Sequence, residues 1–149
     1  MKKSHLFSLV FFYLLLVSVS CDVIHDSCDK AAKGDPNIKF DFCVSSFEGN
    51  PKAKTATGVA DLVKVAIETA MANATSTGAG SSIQSGGKAF EGKDYGTANA
   101  EISSAMDAPD TCEEQFKEKK GYVSPLTKEN NNFFQLLAIV LSFMNLVPK

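Results

Sequence analysis

Eight apolar residues between Val59 and Ala74 recur at steps of three and four: Val59, Leu62, Val63, Ala66, Ile67, Ala70, Met71 and Ala74. That spacing lines one face of an α-helix and leaves the other face polar. A helix with one apolar side must bury it against other elements, and nothing in the chain alternates apolar and polar residues as a half-buried strand would. The expected fold class is therefore all-α.

Other segments repeat the pattern. Asp22 to Lys33 places Val23, Ile24, Cys28, Ala31 and Ala32 on a loose stripe that Gly34 ends. Asp35 followed by Pro36 reads as an N-cap and first helical position. Phe40, Cys43, Val44 and Phe47 then follow at helical spacing until Gly49, which makes two short helices turned back on each other. A further helix begins near Asp94 with Tyr95, Ala98, Ile102, Ala105 and Met106. Pro109 should interrupt it, and Thr111 with Glu114 forms a capping box for a short continuation through Phe116. Asn132 to Val147 is apolar on nearly all sides. It has the length of a lipid-anchor tail, but Gln135, Ser142 and Asn145 interrupt it, which favours a bundle helix.

The first twenty residues carry Lys2 and Lys3, an apolar run from Leu6 to Val17, and small residues at Ser18 and Ser20. These are the three parts of a signal peptide, so residues 1–20 are expected to be removed on export. Two of the 15 basic residues and none of the 17 acidic ones fall in that segment, leaving a net charge of −4 on the remaining chain. That charge argues against binding to a nucleic-acid backbone, and none is expected. Residues 21–147 have the length of one domain, and no membrane attachment is expected after cleavage.

Four cysteines, Cys21, Cys28, Cys43 and Cys112, fit disulfide bonding in an oxidising compartment, with the connectivity not readable from spacing. Zinc is a poor alternative and no metal is expected: the sole histidine after processing is His25, and no cysteine pair has ligand spacing. No cofactor is expected. A nucleophile would have to use His25, three residues before Cys28 and near a free end, and adjacent Glu113 and Glu114 cannot face each other as an acid/base couple. Catalysis is not expected; binding is. The single sequon, Asn73-Ala74-Thr75, makes Asn73 a candidate for N-glycosylation.

The blocks DSCDKAAKGDPNIKFDFCVSSFEGNPKA, KDYGTANAEISSAMDAPDTCEEQFKEKKG and YVSPLTKENNNFFQLLAIVLSF resemble the plant invertase and pectin methylesterase inhibitor family over almost the whole mature chain. The resemblance implies an up-and-down four-helix bundle with an N-terminal helical hairpin and a disulfide within the hairpin, which maps onto Cys28 and Cys43. It also implies a second disulfide from the position of Cys112 to a bundle helix lying between Val59–Ala74 and Tyr95–Met106. Here that interval holds only TSTGAGSSIQSGG and KAFEG, with no cysteine and no apolar stripe. One bundle helix is thus expected to be replaced by a Gly/Ser-rich flexible linker over 75–87. An apolar trough should result, and Cys112 should be free, paired with Cys21, or bonded to another molecule. The trough and Cys112 are two routes to self-association.

The function this implies is a secreted inhibitor in the cell wall or vacuole that docks on a carbohydrate-active enzyme. Acid invertase is the expected target and pectin methylesterase the alternative. A second alternative is an inactive deletion variant without a target, an allergen-like secreted protein. Target-contact residues are not assigned, except that the connection Gly121 to Thr127 is a candidate because it should be exposed before the last helix.

Overall fold

The computed structural model describes residues 23–74, 77–118 and 123–148, so the leader expected over 1–20, Cys21 and the first two residues of the 121–127 connection lie outside the described residues. Helix α1 spans residues 23–34 and α2 spans Phe40–Glu48. A short 3-10 turn at Ala53–Thr55 leads into α3 (Val59–Asn73), α4 (Thr77–Glu91), α5 (Tyr95–Lys117) and α6 (Thr127–Leu146). No strand occurs among the described residues. The last four helices form a closed ring in which α3 lies against α4 and α6, and α5 against α4 and α6. This is the all-α, four-helix arrangement expected.

One core serves both parts. Ile24, Cys28 and Ala31 of α1, Ile38, and Cys43, Val44 and Phe47 of α2 are buried in the same cluster as Leu62, Val63, Ile83, Ile102, Leu137, Ile139 and Phe143 of the bundle. The rings of Phe47 and Phe143 meet at 5.6 Å. The Lys39 amide donates to Gln135 Oε1 at 3.3 Å, which ties the start of α2 to the middle of α6. Burial of Gln135 and its neighbours on all sides explains the unstriped sequence of α6, which is a bundle helix. No helix among the described residues is long and apolar enough to cross a membrane.

The expected linker over 75–87 is corrected by the structure: from Thr77 onward it is helix α4. Four glycines, Gly78, Gly80, Gly86 and Gly87, cost a helix about 1 kcal/mol each relative to alanine. Packing on α5 supplies what propensity withholds. Ala79, Ile83 and Phe90 are buried, and with Gly86 they form a stripe at steps of four, three and four. A Cβ on Gly86 would stand 2.9 Å from Cγ1 and Cδ1 of Ile102 and 3.3 Å from the Ala98 carbonyl. The glycine is what lets the two helices approach this closely, and the trough expected between the remaining helices is filled.

This packing separates two glycines of one helix. Gly86→Leu should destabilise by about 1–3 kcal/mol through overpacking. Gly80→Ala, whose Cβ would meet only Met71 Sδ at 3.8 Å, should stabilise by up to about 1 kcal/mol. Urea denaturation midpoints check both; a flexible linker would leave both unchanged.

Two boundaries also differ from expectation. Asp35 does not cap α2: its Oδ1 accepts from the Asn37 amide at 2.9 Å, an Asx-turn that delivers Ile38 to the core, and α2 starts at Phe40. Pro109 does not interrupt α5, because it continues the buried stripe Ala98, Ile102 and Ala105 and its ring is itself buried. The Thr111–Glu114 capping box is therefore not used. Between α4 and α5, Lys93 takes a left-handed φ of 62°. Its amide donates to the Phe90 carbonyl and that of Asp94 to the Ala89 carbonyl, a Schellman closure with lysine where glycine is usual. Asp94 then caps α5 by accepting from the Thr97 amide, as its sequence position suggests.

Candidate docking surface

Among the described residues no three His, Cys, Asp or Glu side chains gather into a group that could hold a metal. Cys28 is bonded to Cys43 with their Cα atoms 5.8 Å apart, so His25 has no thiol beside it to activate. Its Nε2 instead lies 3.4 Å from Glu48 Oε1, and its ring meets the edge of Phe40. Cys112 is half-buried on α5 and has no disulfide partner among the described residues; Cys21, one expected partner, lies outside them. Asn73 is the exposed last residue of α3, with Nδ2 donating to the Thr69 carbonyl at 2.8 Å.

The most built feature of the surface is the connection between α5 and α6. Glu113 and Glu114 diverge: Glu114 faces solvent, while Glu113 turns towards α6. Its Oε1 accepts from Asn130 Nδ2 at 2.7 Å, and its Oε2 lies 2.8 Å from Thr127 Oγ1. Thr127 Oγ1 is also 3.0 Å from the Ser124 carbonyl, so one hydroxyl proton is shared between two acceptors. The buried Ser124 hydroxyl accepts from the Leu126 amide at 3.2 Å. On this base stand Val123, 84% exposed, and Leu126, 40% exposed, two of the three large apolar side chains left exposed among the described residues. Glu113, Phe116, Lys117, Val123, Ser124 and Thr127 line a cleft of about 270 Å³. The partners of Glu113 come from another helix, so no local sequence signal marks the network; the exposure of Val123 and Leu126 follows from their place in the connection.

Donation from Asn130, with further donation from Thr127 and Ser124 and the charge of Lys117, holds the Glu113 carboxyl below its ordinary range against partial desolvation. Asp61 is lowered in the same way by the Thr57 amide and hydroxyl, and Asp94 by the Thr97 amide and side chain. A carboxyl with a lowered folded-state value stabilises the fold above its unfolded value and loses that contribution as pH falls through the folded one. The thermal midpoint should therefore hold from neutrality down to about pH 5 and fall below it. Glu113→Gln should flatten part of that fall, which melting curves across pH would read.

Helix lengths shape this end of the molecule. At about 1.5 Å per residue, the 23 residues of α5 outrun the 15 of α4. Ser82 Oγ meets Ser104 Oγ at 3.1 Å and fixes the register. Thr77 thus stands level with Pro109, and α5 runs on for two more turns alongside the start of α6. Three acidic residues of α5, Asp110, Glu113 and Glu114, lie on this extension together with Lys117.

Comparison with known proteins gives concordant relatives. The chain is 35% identical to the "Putative invertase inhibitor" of Platanus acerifolia over 177 positions, covering 99% of each chain. It is 34% identical to the protein of the same name from Platanus orientalis, covering 95% of this chain and 96% of that one. It is 32% identical to "Pectinesterase inhibitor 12" of Arabidopsis thaliana, covering 95% and 98%. No family model and no solved structure matches. Since 177 aligned positions face a chain of 149 residues, at least 28 have no counterpart here. All four bundle helices are nonetheless present among the described residues.

Proposed function

The chain belongs to the family of plant invertase and pectin methylesterase inhibitors, and from that premise we propose that it is an exported protein that inhibits acid invertase. It is an inhibitor of enzymes rather than an enzyme. The observation that carries the choice of invertase is the near-full-length similarity to two relatives named for it. Export is supported by Lys2, Lys3 and the apolar run to Val17, and it would deliver the chain to the cell wall. The contact we assign to the enzyme is the α5–α6 connection. Val123 and Leu126 project there from a base fixed by Glu113, and a preorganised apolar tip loses little freedom on binding.

A second reading, inhibition of pectin methylesterase, is favoured by the relative named for that enzyme. Titration of the purified mature chain into each enzyme decides between them. Invertase should be slowed at sub-micromolar concentration, and Val123→Asp should weaken that inhibition about tenfold or more, a change of roughly 1.4 kcal/mol, without lowering the melting temperature. Slowing of the esterase alone would select the second reading. A chain that slows neither would be the inactive shortened form.

A further inference from the structure

The sequon at the end of α3 is not used by the docking surface, and its local geometry suits a covalent modification. Asn73 is exposed and is the last residue of its helix; at Ala74 the backbone turns extended, with φ −67° and ψ 114°. The next residue in sequence is Thr75, and no other Asn-X-Ser/Thr triplet occurs in the chain. Nδ2 of Asn73 carries two hydrogens, of which one is given to the Thr69 carbonyl. Replacing one of the two still leaves Nδ2 a hydrogen to donate.

We propose that Asn73 carries an N-linked oligosaccharide. The inference rests on the reading that the chain is exported, because the donor, a polyisoprenyl-diphosphate oligosaccharide, is met along that route. In the transfer Nδ2 forms a bond to the anomeric carbon of the first sugar. The bond from that carbon to the diphosphate oxygen breaks, the lipid diphosphate leaves, and Nδ2 gives up one proton; nothing is oxidised or reduced. The remaining Nδ2 hydrogen keeps its bond to Thr69, so the folded helix accepts the modified side chain unchanged. The sugar is bulky and strongly solvated. It stands at the end of the bundle where α3 and α4 stop short of α5, beyond Met71, which approaches Gly80 of α4.

The test is expression of the full chain, leader included, in a secreting plant or yeast cell, with the intact mass and N-terminal sequence of the secreted product. A mass above that of the processed polypeptide by one oligosaccharide, removed by peptide N-glycosidase with conversion of Asn73 to aspartate, is expected. Thr75→Ser should keep the modification, whereas Asn73→Gln and Thr75→Ala should each abolish it. A secreted product with its leader removed and Asn73 unmodified would overturn the site while leaving export standing. Retention of the leader with no secretion would overturn the export reading and the site together. Inhibition assays are independent of either outcome.

Discussion

Phe47→Ala is expected to lower the unfolding free energy by about 3–5 kcal/mol, the range for removing a buried phenylalanine. Phe47 is fully buried, and its ring meets that of Phe143. Those two rings join the N-terminal hairpin to the bundle. Neither α1 nor α2 can stand alone, since isolated helices shorter than about 12–15 residues are marginal in water. The truncated side chain therefore leaves a cavity at the joint on which the hairpin depends. Against a total stability of about 5–15 kcal/mol for a natural domain, the loss is a large fraction. A urea midpoint that moves by the equivalent of less than about 1 kcal/mol would mean that the joint collapses to fill the space.

How far the sequence announces such features depends on whether the responsible residues are local. The stripe of α3 is visible because its period is regular; the structure buries Leu62, Val63, Ala66 and Ala70 from it, with Val65 beside them. Asp94 is legible as a cap because its partner, Thr97, is three residues away. Helix α4 is not legible, since its interface is written in residues that score as flexible. Gly86 sits in the stripe because Ile102 leaves no room for a Cβ, a reason located on another helix. Pro109 misleads for a similar cause: local rules end a helix there, while burial of its ring offsets the lost hydrogen bond.

The docking surface divides along the same line. That a connection should expose Val123 and Leu126 follows from its position before the last helix. That the exposed tip should be held still depends on Glu113, Thr127 and Asn130, which are 14 and 17 residues apart in sequence. Rigidity of the tip matters for an inhibitor, because each side chain already ordered before contact is entropy not lost on binding.

Replacing both hairpin cysteines, Cys28→Ala with Cys43→Ala, should cost about 3 kcal/mol, the value for releasing a loop of about 15 residues in the unfolded chain. Their sequence separation is 15, and both sulfurs are fully buried. Alanine is the right replacement, because serine would bury two hydroxyls without partners and add a penalty unrelated to the bond. Reductant gives an independent route to the same quantity: it should lower the urea midpoint of the parent chain to that of the double variant and leave the double variant unmoved. Cys112→Ala supplies the control, since Cys112 has no disulfide partner among the described residues. In that variant the effect of reductant should persist at full size. If it shrank instead, Cys112 would be one end of a bond that contributes to stability, and Cys21 would be the sulfur to test next. Persistence would leave the hairpin bond as the source of the reductant effect.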